Sequence, residues 1–217
     1  MIKLENLTKV YNPKKRNNFT ALHGVSLEIS KGELTAIMGR SGSGKSTLLH
    51  IIGMLDDFTG GEYLLDGKPV SKLSESARTK LRAEKFGFVK QDFALIENYS
   101  VLDNVMLPLY PIKARNKKER ALKAIAAMGI EKLASKPASE LSGGEKQRTA
   151  IARAIVTEPE ILLADEPTGA LDKKTGSEIM DCFKEISCEK TIILITHDPE
   201  IAAQCKRVVR IEDGVIV

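Results

Sequence analysis

Residues 39–46 combine glycines, a lysine and a serine at a spacing that suits a phosphate-binding loop. They read GRSGSGKS and match the pattern GxxxxGK(S/T) in full, between a strand-like run, LTAIM, and a helix-like run, TLLHIIGML. The glycines allow successive backbone amides to point at phosphate oxygens, while Lys45 brings a positive charge to the β and γ phosphates. The Ser46 hydroxyl is a suitable ligand for Mg²⁺. The loop therefore predicts a nucleoside triphosphate site.

Two acids end a second apolar run, in the segment ILLADEPTGALD (161–172). Asp165 follows ILLA, which is typical of a buried parallel strand, and α/β sheets bind ligands at the carboxyl ends of such strands. Asp165 is therefore expected to hold Mg²⁺, directly or through water. Glu166 lies one residue further along and is expected to polarise the attacking water. The alternative is that both acids only terminate the strand.

His197 and Gln91 follow two further strand-like segments. His197 ends TIILITH, and Gln91 follows FGFVK. If both strands join the same parallel sheet, the two side chains face one crevice, where His197 would reach a γ-phosphate and Gln91 would touch the metal or the water. Taken singly, each is better explained as an exposed polar residue at the end of a strand.

The segment LSGGEKQRTAIARAI (141–155) predicts a helix that begins with glycines. Its alanines favour the helix, whereas Ser142-Gly143-Gly144 leaves the first backbone amides exposed. Helix N-termini of this kind bind anions. Since this one has no counterpart of Lys45 or of the metal-binding acid, it would be a weak site by itself.

The remaining pattern is that of an α/β protein with two additions. Continuous apolar runs predict central parallel strands, and alternating segments predict short strands near the N-terminus. The tail RVVRIEDGVIV predicts a hairpin that turns at Asp213-Gly214. From about residue 93 to 157 the pattern is helical, notably over 117–128 and 148–156. The predicted strands are 2–4, 25–29, 34–38, 62–66, 161–165 and 191–196.

Composition limits the classes of function. The 217 residues are 42% hydrophobic and 29% charged, as in soluble globular proteins, and a net charge of +4 does not indicate a nucleic-acid-binding protein. No apolar run approaches the roughly 20 residues that span a bilayer, and the first residues lack a signal-peptide core. Three cysteines without CxxC spacing fit a reduced cytoplasm. Two basic stretches, 14–16 and 113–120, are expected to be solvated loop and helix faces.

Taken in order, these motifs resemble those of the ATP-binding subunit of ABC transporters over essentially the whole chain. GRSGSGKST resembles Walker A, ILLADEPTG resembles Walker B with its catalytic glutamate, and LSGGE resembles the ABC signature. Gln91 matches the Q-loop glutamine, Asp172 the D-loop aspartate and His197 the switch histidine. Tyr11 matches the aromatic A-loop residue that stacks on adenine.

The resemblance implies an α/β fold of the P-loop NTPase (RecA-like) type with a mostly parallel central sheet. An N-terminal antiparallel β subdomain and an inserted ABC-type helical subdomain would complete it. Within a single ABC ATPase domain, residues 1–92 and 158–217 would form the ATP-binding core, and residues 93–157 would form the helical subdomain that carries the signature. The implied ligands are ATP and Mg²⁺.

The same resemblance assigns roles to individual residues. In a head-to-tail dimer, each ATP would lie between Walker A of one chain and the signature of the other, with Asp172 linking the two sites. The expected catalytic residues are Glu166, His197 and Lys45. The expected Mg²⁺ ligands are Ser46, Gln91 and Asp165. The residues expected to bind ATP in trans are Ser142, Gly143, Gly144 and Glu145, the last of which is glutamine in many relatives. The residues expected to bind ATP within the chain are Tyr11, Gly39, Arg40, Ser41, Gly42, Ser43, Gly44, Lys45, Ser46, Thr47 and Gln91.

Segments such as GMLDDFTGGEYLLDG and LADEPTGALDKKTG resemble the lipoprotein-release, macrolide and antimicrobial-peptide export group. This implies two partners, a second copy of the chain and a separate integral-membrane permease that holds the cytoplasmic chain at the inner face of the membrane. No nucleic-acid partner is expected. Two alternatives stay open. One is a non-transport ABC ATPase, such as a translation or DNA-repair factor, although these usually carry a second domain or long insertions. The other is an ATPase that powers a non-transport membrane complex, in cell division or antibiotic-peptide sensing.

Overall fold

The computed structural model describes residues 1–13 and 18–217. The basic stretch at 14–16, predicted to be solvated, lies outside the described residues. The second basic stretch, 113–120, is mostly exposed as predicted and forms a turn and the start of a helix.

Near the N-terminus, four strands form an antiparallel sheet in the order β2-β1-β4-β5. The predicted strands here are confirmed, but β1 and β2 extend well beyond residues 2–4 and 25–29. The register of β1 shifts after Leu4, where Asn6 has a positive φ of 49°. This irregularity interrupts the alternation of apolar residues that the prediction used. The strands are β1 (Ile2–Tyr11), β2 (Phe19–Ile29), β4 (Gly60–Leu65) and β5 (Lys68–Pro69).

The central sheet has six strands in the order β10-β9-β3-β8-β7-β6, and all neighbours are parallel except the terminal β9-β10 pair. The apolar runs are confirmed as its buried middle strands, and the tail is confirmed as a hairpin. Asp213 and Gly214 both have positive φ, 45° and 78°, as a tight two-residue turn requires. The strands are β3 (Leu34–Met38), β6 (Phe86–Val89), β7 (Ile161–Asp165), β8 (Thr191–Ile195), β9 (Arg207–Glu212) and β10 (Val215–Ile216).

Seven α-helices in the described residues connect these strands. The helical character of 93–157 is confirmed by α3, α4 and α5, whereas α2 is a helix that the sequence analysis did not identify. Six of its eleven residues are charged and none of the eleven is buried, so it lacks the apolar periodicity that reveals a helix. The helices are α1 (Lys45–Ile52), α2 (Glu75–Lys85), α3 (Val101–Met106), α4 (Lys117–Ala127), α5 (Gly143–Ile155), α6 (Lys173–Ser187) and α7 (Pro199–Ala202).

Two hydrophobic clusters cover the two faces of the central sheet. One joins a face of the sheet to α3, α4, α5 and α6, and the other joins the opposite face to α1 and the N-terminal sheet. The division into a core and a helical subdomain at 93 and 157 stays a prediction. In the described part of the chain, no helix combines the length and the apolar character needed to cross a bilayer.

Candidate nucleoside triphosphate site

The loop at 39–46 lies between β3 and α1, and its glycines are required by close backbone contacts. Gly44 has a φ of 100°, and a Cβ there would lie 2.6 Å from the carbonyl oxygen of Ala21. At Gly39 a Cβ would collide with the carbonyl oxygen of Ile211. The strands behind the loop therefore fix its path, and a larger residue at either glycine would displace it.

Lys45 and the start of α1 leave this loop open to an anion. The Lys45 ammonium donates hydrogen bonds to the carbonyl oxygens of Gly39, at 2.9 Å, and Arg40, at 2.8 Å. The N-cap residue of α1, Gly44, has no side chain to cap the helix, and the first turn carries no acid. The first amides of α1 thus keep their donors for a bound phosphate. Ser43, by contrast, is buried, and its hydroxyl has no partner within the described residues.

Asp165 ends β7 within the same pocket as Ser46 and Gln91. Burial raises the pKa of the Asp165 carboxyl, while the charge of His50 and the hydroxyl of Ser46 act in the opposite direction. A half-buried carboxylate, a hydroxyl and an amide on one wall supply the oxygen donors that Mg²⁺ prefers. These residues therefore fit the metal that the sequence predicts.

Glu166 and His197 are in direct contact. Glu166 has a positive φ of 47°, and its amide donates to the carbonyl oxygen of Ile195 at the end of β8. This turn places Glu166 Oε2 2.6 Å from His197 Nδ1. The Gln91 amide and the Glu166 carboxylate both face Gly169. A Cβ built on that glycine would lie 3.3 Å from Glu166 Oε2 and 3.4 Å from Gln91 Nε2, so the two side chains are neighbours. The ends of β6, β7 and β8 thus bring three polar side chains, Gln91, Glu166 and His197, into one pocket.

One pocket of about 720 Å³ gathers most of the predicted residues. Two of its lining residues, Phe19 and Ala21 on β2, were not identified from the sequence, since their position appears only when β2 pairs with β1. Tyr11, which was expected to stack on adenine, is not among the lining residues but contacts one of them, Thr47, at 3.5 Å. The lining residues are Phe19, Ala21, Gly39, Arg40, Ser41, Gly42, Gly44, Lys45, Ser46, Thr47, Gln91, Asp165, Glu166 and His197.

The signature segment forms a different pocket, of about 410 Å³, which shares no lining residue with the first. Ser142 caps α5: its hydroxyl accepts from the Glu145 amide at 3.4 Å, and its own amide and hydroxyl each donate to Glu145 Oε2 at 2.8 Å. These hydrogen bonds from Ser142 lower the pKa of the Glu145 carboxyl. Within one chain, the structure therefore does not bring the signature to the phosphate loop.

Asp172 lies in the signature pocket and also caps α6. Its carboxylate accepts hydrogen bonds from the amides of Lys174 and Thr175, both at 3.1 Å, and from the Thr175 hydroxyl at 2.6 Å. These contacts hold the pKa of Asp172 below its usual range. The capping role was not identified from the sequence, although an aspartate directly before a helix is a preferred N-cap residue.

Residues 22–169 match the family model described as ABC transporter. The chain is 46% identical over its whole length to YknY, an ABC transporter ATP-binding protein of Bacillus subtilis (strain 168), and covers 95% of that protein. It is also 43% identical over its whole length to MacB, a macrolide export ATP-binding/permease protein of Syntrophobacter fumaroxidans, but spans only 31% of it.

A solved structure gives the same result for the fold. The chain is similar over its whole length to the dimeric, post-hydrolysis ATP-binding cassette MJ0796 bound to ADP and phosphate, with a TM-score of 0.90 and 42% identity, and covers 96% of it. The predicted P-loop NTPase fold is therefore confirmed. The chain belongs to the ABC transporter family, in which it is an ATP-binding subunit and an ATPase.

Proposed function

We propose that two copies of this chain close on ATP and that its hydrolysis drives a separate membrane permease for export of a lipoprotein, peptide or drug-like substrate. The observation that carries this proposal is the division of the predicted ATP-binding residues between two pockets. Residues for phosphate, metal and water line one pocket, while Ser142 and Glu145 line another. Each pocket supplies what the other lacks, so two copies complete each other's site.

The phosphate loop would hold the nucleotide in each copy. In the free chain the Lys45 ammonium donates to two carbonyl oxygens of the loop itself. In the ATP complex it would turn to the β and γ phosphates instead. The open amides of α1 bind phosphate oxygens, and Arg40, Ser41 and Thr47 line the walls around them. Ser43 would act from behind the loop, where it is buried.

Ser46, Asp165 and Gln91 would hold Mg²⁺. When bound, the ion neutralises charge on the β and γ phosphates. Glu166 would orient the attacking water as its hydrogen-bond acceptor. With its proton on Nδ1, His197 donates to Glu166 Oε2 and leaves Oε1 of the same carboxylate free for the water. Lys45 would then stabilise the charge on the transferred phosphoryl group, and His197 would do so through Nε2 when that nitrogen also carries a proton.

The signature of the second copy would complete the site. In the free chain the Ser142 hydroxyl donates to Glu145, and in the dimer it would donate to the γ-phosphate together with the amides of Gly143 and Gly144. The similar cassette MJ0796 is dimeric, which supports this arrangement. Asp172 would link the two sites through α6, whose N-terminus it caps.

A groove at the junction of the core and the helical region is the proposed contact for the permease. It encloses about 530 Å³ and begins beside Lys90, the neighbour of Gln91. Its floor is apolar, and Arg82 and Arg153 lie on its wall with their guanidinium groups bound to backbone carbonyls of Met54 and Phe93. An apolar segment of the permease with an acidic residue or a helix C-terminus facing the arginines would fit this surface. The residues that line the groove include Leu55, Phe88, Pro108, Pro111, Arg82 and Arg153.

Glu166→Gln tests the shared site. We expect ATP binding to persist and turnover to fall by roughly 10²–10⁴-fold, because the water loses its base. An ATP-bound dimer should then accumulate on gel filtration with Mg²⁺. The matched control is the double variant Lys45→Ala/Glu166→Gln, which should stay monomeric. A Glu166→Gln chain that binds ATP yet remains monomeric at saturating ATP would contradict the proposal.

Leu55→Asp tests the permease contact, and Leu122→Asp is its control. Both leucines are exposed, by 49% and 40%, but only Leu55 lies in the groove. We expect Leu55→Asp to abolish copurification with a membrane protein from the native host while ATPase activity of the isolated chain is kept. Loss of copurification in both variants, or in neither, would contradict the assignment of the groove. Copurification without substrate transport by the reconstituted complex would favour the non-transport membrane role.

A further inference from the structure

The stretch YPIKARNKKERALK, residues 110–123, is a basic segment of the helical region. It contains six lysines and arginines and one acid, Glu119, so it carries more positive charge than the whole chain, whose net charge is +4. None of its residues lines either of the two pockets that hold the predicted ATP-binding residues. Nucleotide binding therefore does not account for this concentration of charge.

The fold presents the first cations of the basic segment to the solvent. The Lys113 amide donates to the carbonyl oxygen of Tyr110 at 3.0 Å, which closes a turn. Ile112 and Ala114 pack against the hydrophobic cluster of the helical region, whereas Lys113 and Arg115, which alternate with them, are exposed. The apolar residues thus anchor the backbone and leave the charged side chains on the outer surface.

Most cations of the basic segment are free to meet a ligand. Arg120 is engaged, because its guanidinium lies 3.7 Å from Glu158 Oε1 and donates to the carbonyl oxygen of Val156 at 3.2 Å. Among residues 1–13 and 18–217, no carboxylate forms an ion pair with the other lysines and arginines of the segment. Their mutual repulsion is therefore not relieved within the chain, and an anionic surface would relieve it.

The basic segment begins at the edge of the groove proposed for the permease. Pro111 lines that groove, two residues before Lys113. The neighbouring Tyr110 side chain is 56% exposed, and the Lys117 ammonium lies 5.3 Å from its ring centroid. Tyrosine and lysine side chains favour a membrane–water interface, because each joins an apolar body to a polar end. A permease segment that enters the groove comes from the bilayer, so the surface beside the groove would face lipid headgroups.

We propose that the basic segment binds the anionic lipid headgroups of the membrane in which the permease lies. Its orientation toward the bilayer rests on the proposed function, in which the groove holds the permease. Attraction of basic residues to an anionic leaflet falls off within about 10 Å at physiological salt. The segment would therefore act at close range, where it strengthens the docking of the chain beside the permease and fixes its orientation.

Sedimentation of the isolated chain with lipid vesicles tests the inference. The vesicles are phosphatidylcholine alone or phosphatidylcholine with phosphatidylglycerol, at low salt. One variant replaces three exposed cations of the segment by glutamine, and its control removes the same charge from three exposed lysines elsewhere. The first is Lys113→Gln/Arg115→Gln/Lys118→Gln, and the second is Lys31→Gln/Lys68→Gln/Lys206→Gln.

We expect the wild type to bind only the vesicles that contain phosphatidylglycerol. The first variant should bind them roughly 10–100-fold more weakly, because each cation near an anionic surface contributes about a factor of five. The control should stay within about twofold of the wild type, since it changes only the net charge of the chain. Both variants should keep the ATP affinity of the wild type, because none of the replaced residues lines the phosphate-loop pocket.

Several results would overturn the lipid assignment. They are no binding of the wild type to anionic vesicles, equal binding to phosphatidylcholine alone, and equal losses in the two variants. Wild-type vesicle binding by the first variant, together with loss of copurified membrane protein, would assign the segment to an acidic surface of the permease instead. Failure of the proposed permease contact is distinct, because the vesicles contain no permease and their binding would be unchanged.

Discussion

Two helices in this chain begin with glycines, yet their first turns are built in opposite ways. At α1, Gly44 provides no capping side chain, the first turn has no acid, and Lys45 lies across the loop. At α5, Ser142 and Glu145 form a full capping box. The amides of α1 remain available for an anion, whereas part of the donor capacity of α5 is already used within the chain.

The difference indicates which helix can bind phosphate alone. The start of α1 joins open donors to a cation, Lys45, and to a nearby acid, Asp165, so it is suited to a triphosphate in the isolated chain. The start of α5 has a carboxylate, Glu145, where an anion would approach. It is therefore suited to cover a phosphate that the phosphate loop of a second copy already holds and neutralises. In that arrangement the start of α5 acts as a lid.

The largest effect on ATP binding is expected at the first helix start. Lys45→Ala removes the charge that pairs with the β and γ phosphates, and charge-assisted hydrogen bonds contribute about 1.5–3 kcal/mol. We expect ATP affinity of the single chain to fall by roughly 10–150-fold in calorimetry. Unchanged affinity would show that the loop does not bind the triphosphate.

Ser142→Arg should separate hydrolysis from binding. The long cationic side chain would occupy the dimer seam, so we expect the ATPase rate to fall roughly 100-fold or more, as when a positioned donor is removed from a transition state. ATP affinity of the isolated chain should stay within about twofold of the wild type, since Ser142 does not line that pocket. A normal ATPase rate would rule out the lid.

The variants Gly39→Ala and Gly143→Ala show how much each glycine-rich segment contributes to the free energy of unfolding. At Gly39 the new methyl group meets the backbone of Ile211, and overpacking of this kind costs about 1–3 kcal/mol. At Gly143 the nearest atom is the terminal Cδ2 of Leu171, at 3.3 Å, and alanine favours a helix by about 0.5–1 kcal/mol. We expect urea denaturation to show a destabilised Gly39→Ala and a Gly143→Ala close to the wild type. Equal destabilisation would contradict the difference in packing.

Glu145→Gln changes the first turn of α5. Its effect, on formation of the ATP-bound dimer, should be the smallest of these. The substitution removes a negative charge that faces the incoming γ-phosphate, so the ATP-bound dimer in a Glu166→Gln background should form at concentrations roughly threefold to tenfold lower. Sedimentation velocity measures this change. A weaker dimer would show that the carboxylate assists closure instead.

Glu145→Gln should strengthen the dimer but lower the folding stability of the monomer. Because the hydrogen bonds from Ser142 lower the pKa of Glu145, the capping box stabilises the wild-type fold at neutral pH, and this contribution is lost as the pH falls through the pKa of the folded carboxyl. Wild type and Glu145→Gln should therefore differ in thermal stability at pH 7 and converge in acid. A difference that persists unchanged in acid would contradict the charge-assisted cap.

Motifs with local chemistry were predictable from the sequence, and contacts between distant segments were not. The phosphate loop, the acids after β7 and the hairpin turn at Asp213-Gly214 each depend on neighbouring residues, so their patterns identified them. Helix α2 has no buried face, which removed the signal that periodicity requires. Phe19 enters the pocket only through its pairing with Tyr11, and the engagement of Tyr11 with Asp56 depends on a contact 45 residues away.

A crystal structure of Glu166→Gln with ATP and Mg²⁺ would show whether two copies of the chain share each ATP site. We expect a dimer in which residues 39–47 of each subunit hold one ATP, and Ser142 of the partner subunit lies within hydrogen-bond distance of its γ-phosphate. This expectation would be contradicted by ATP bound in the phosphate loop with Ser142 of the same chain on the γ-phosphate, or with no Ser142 near it.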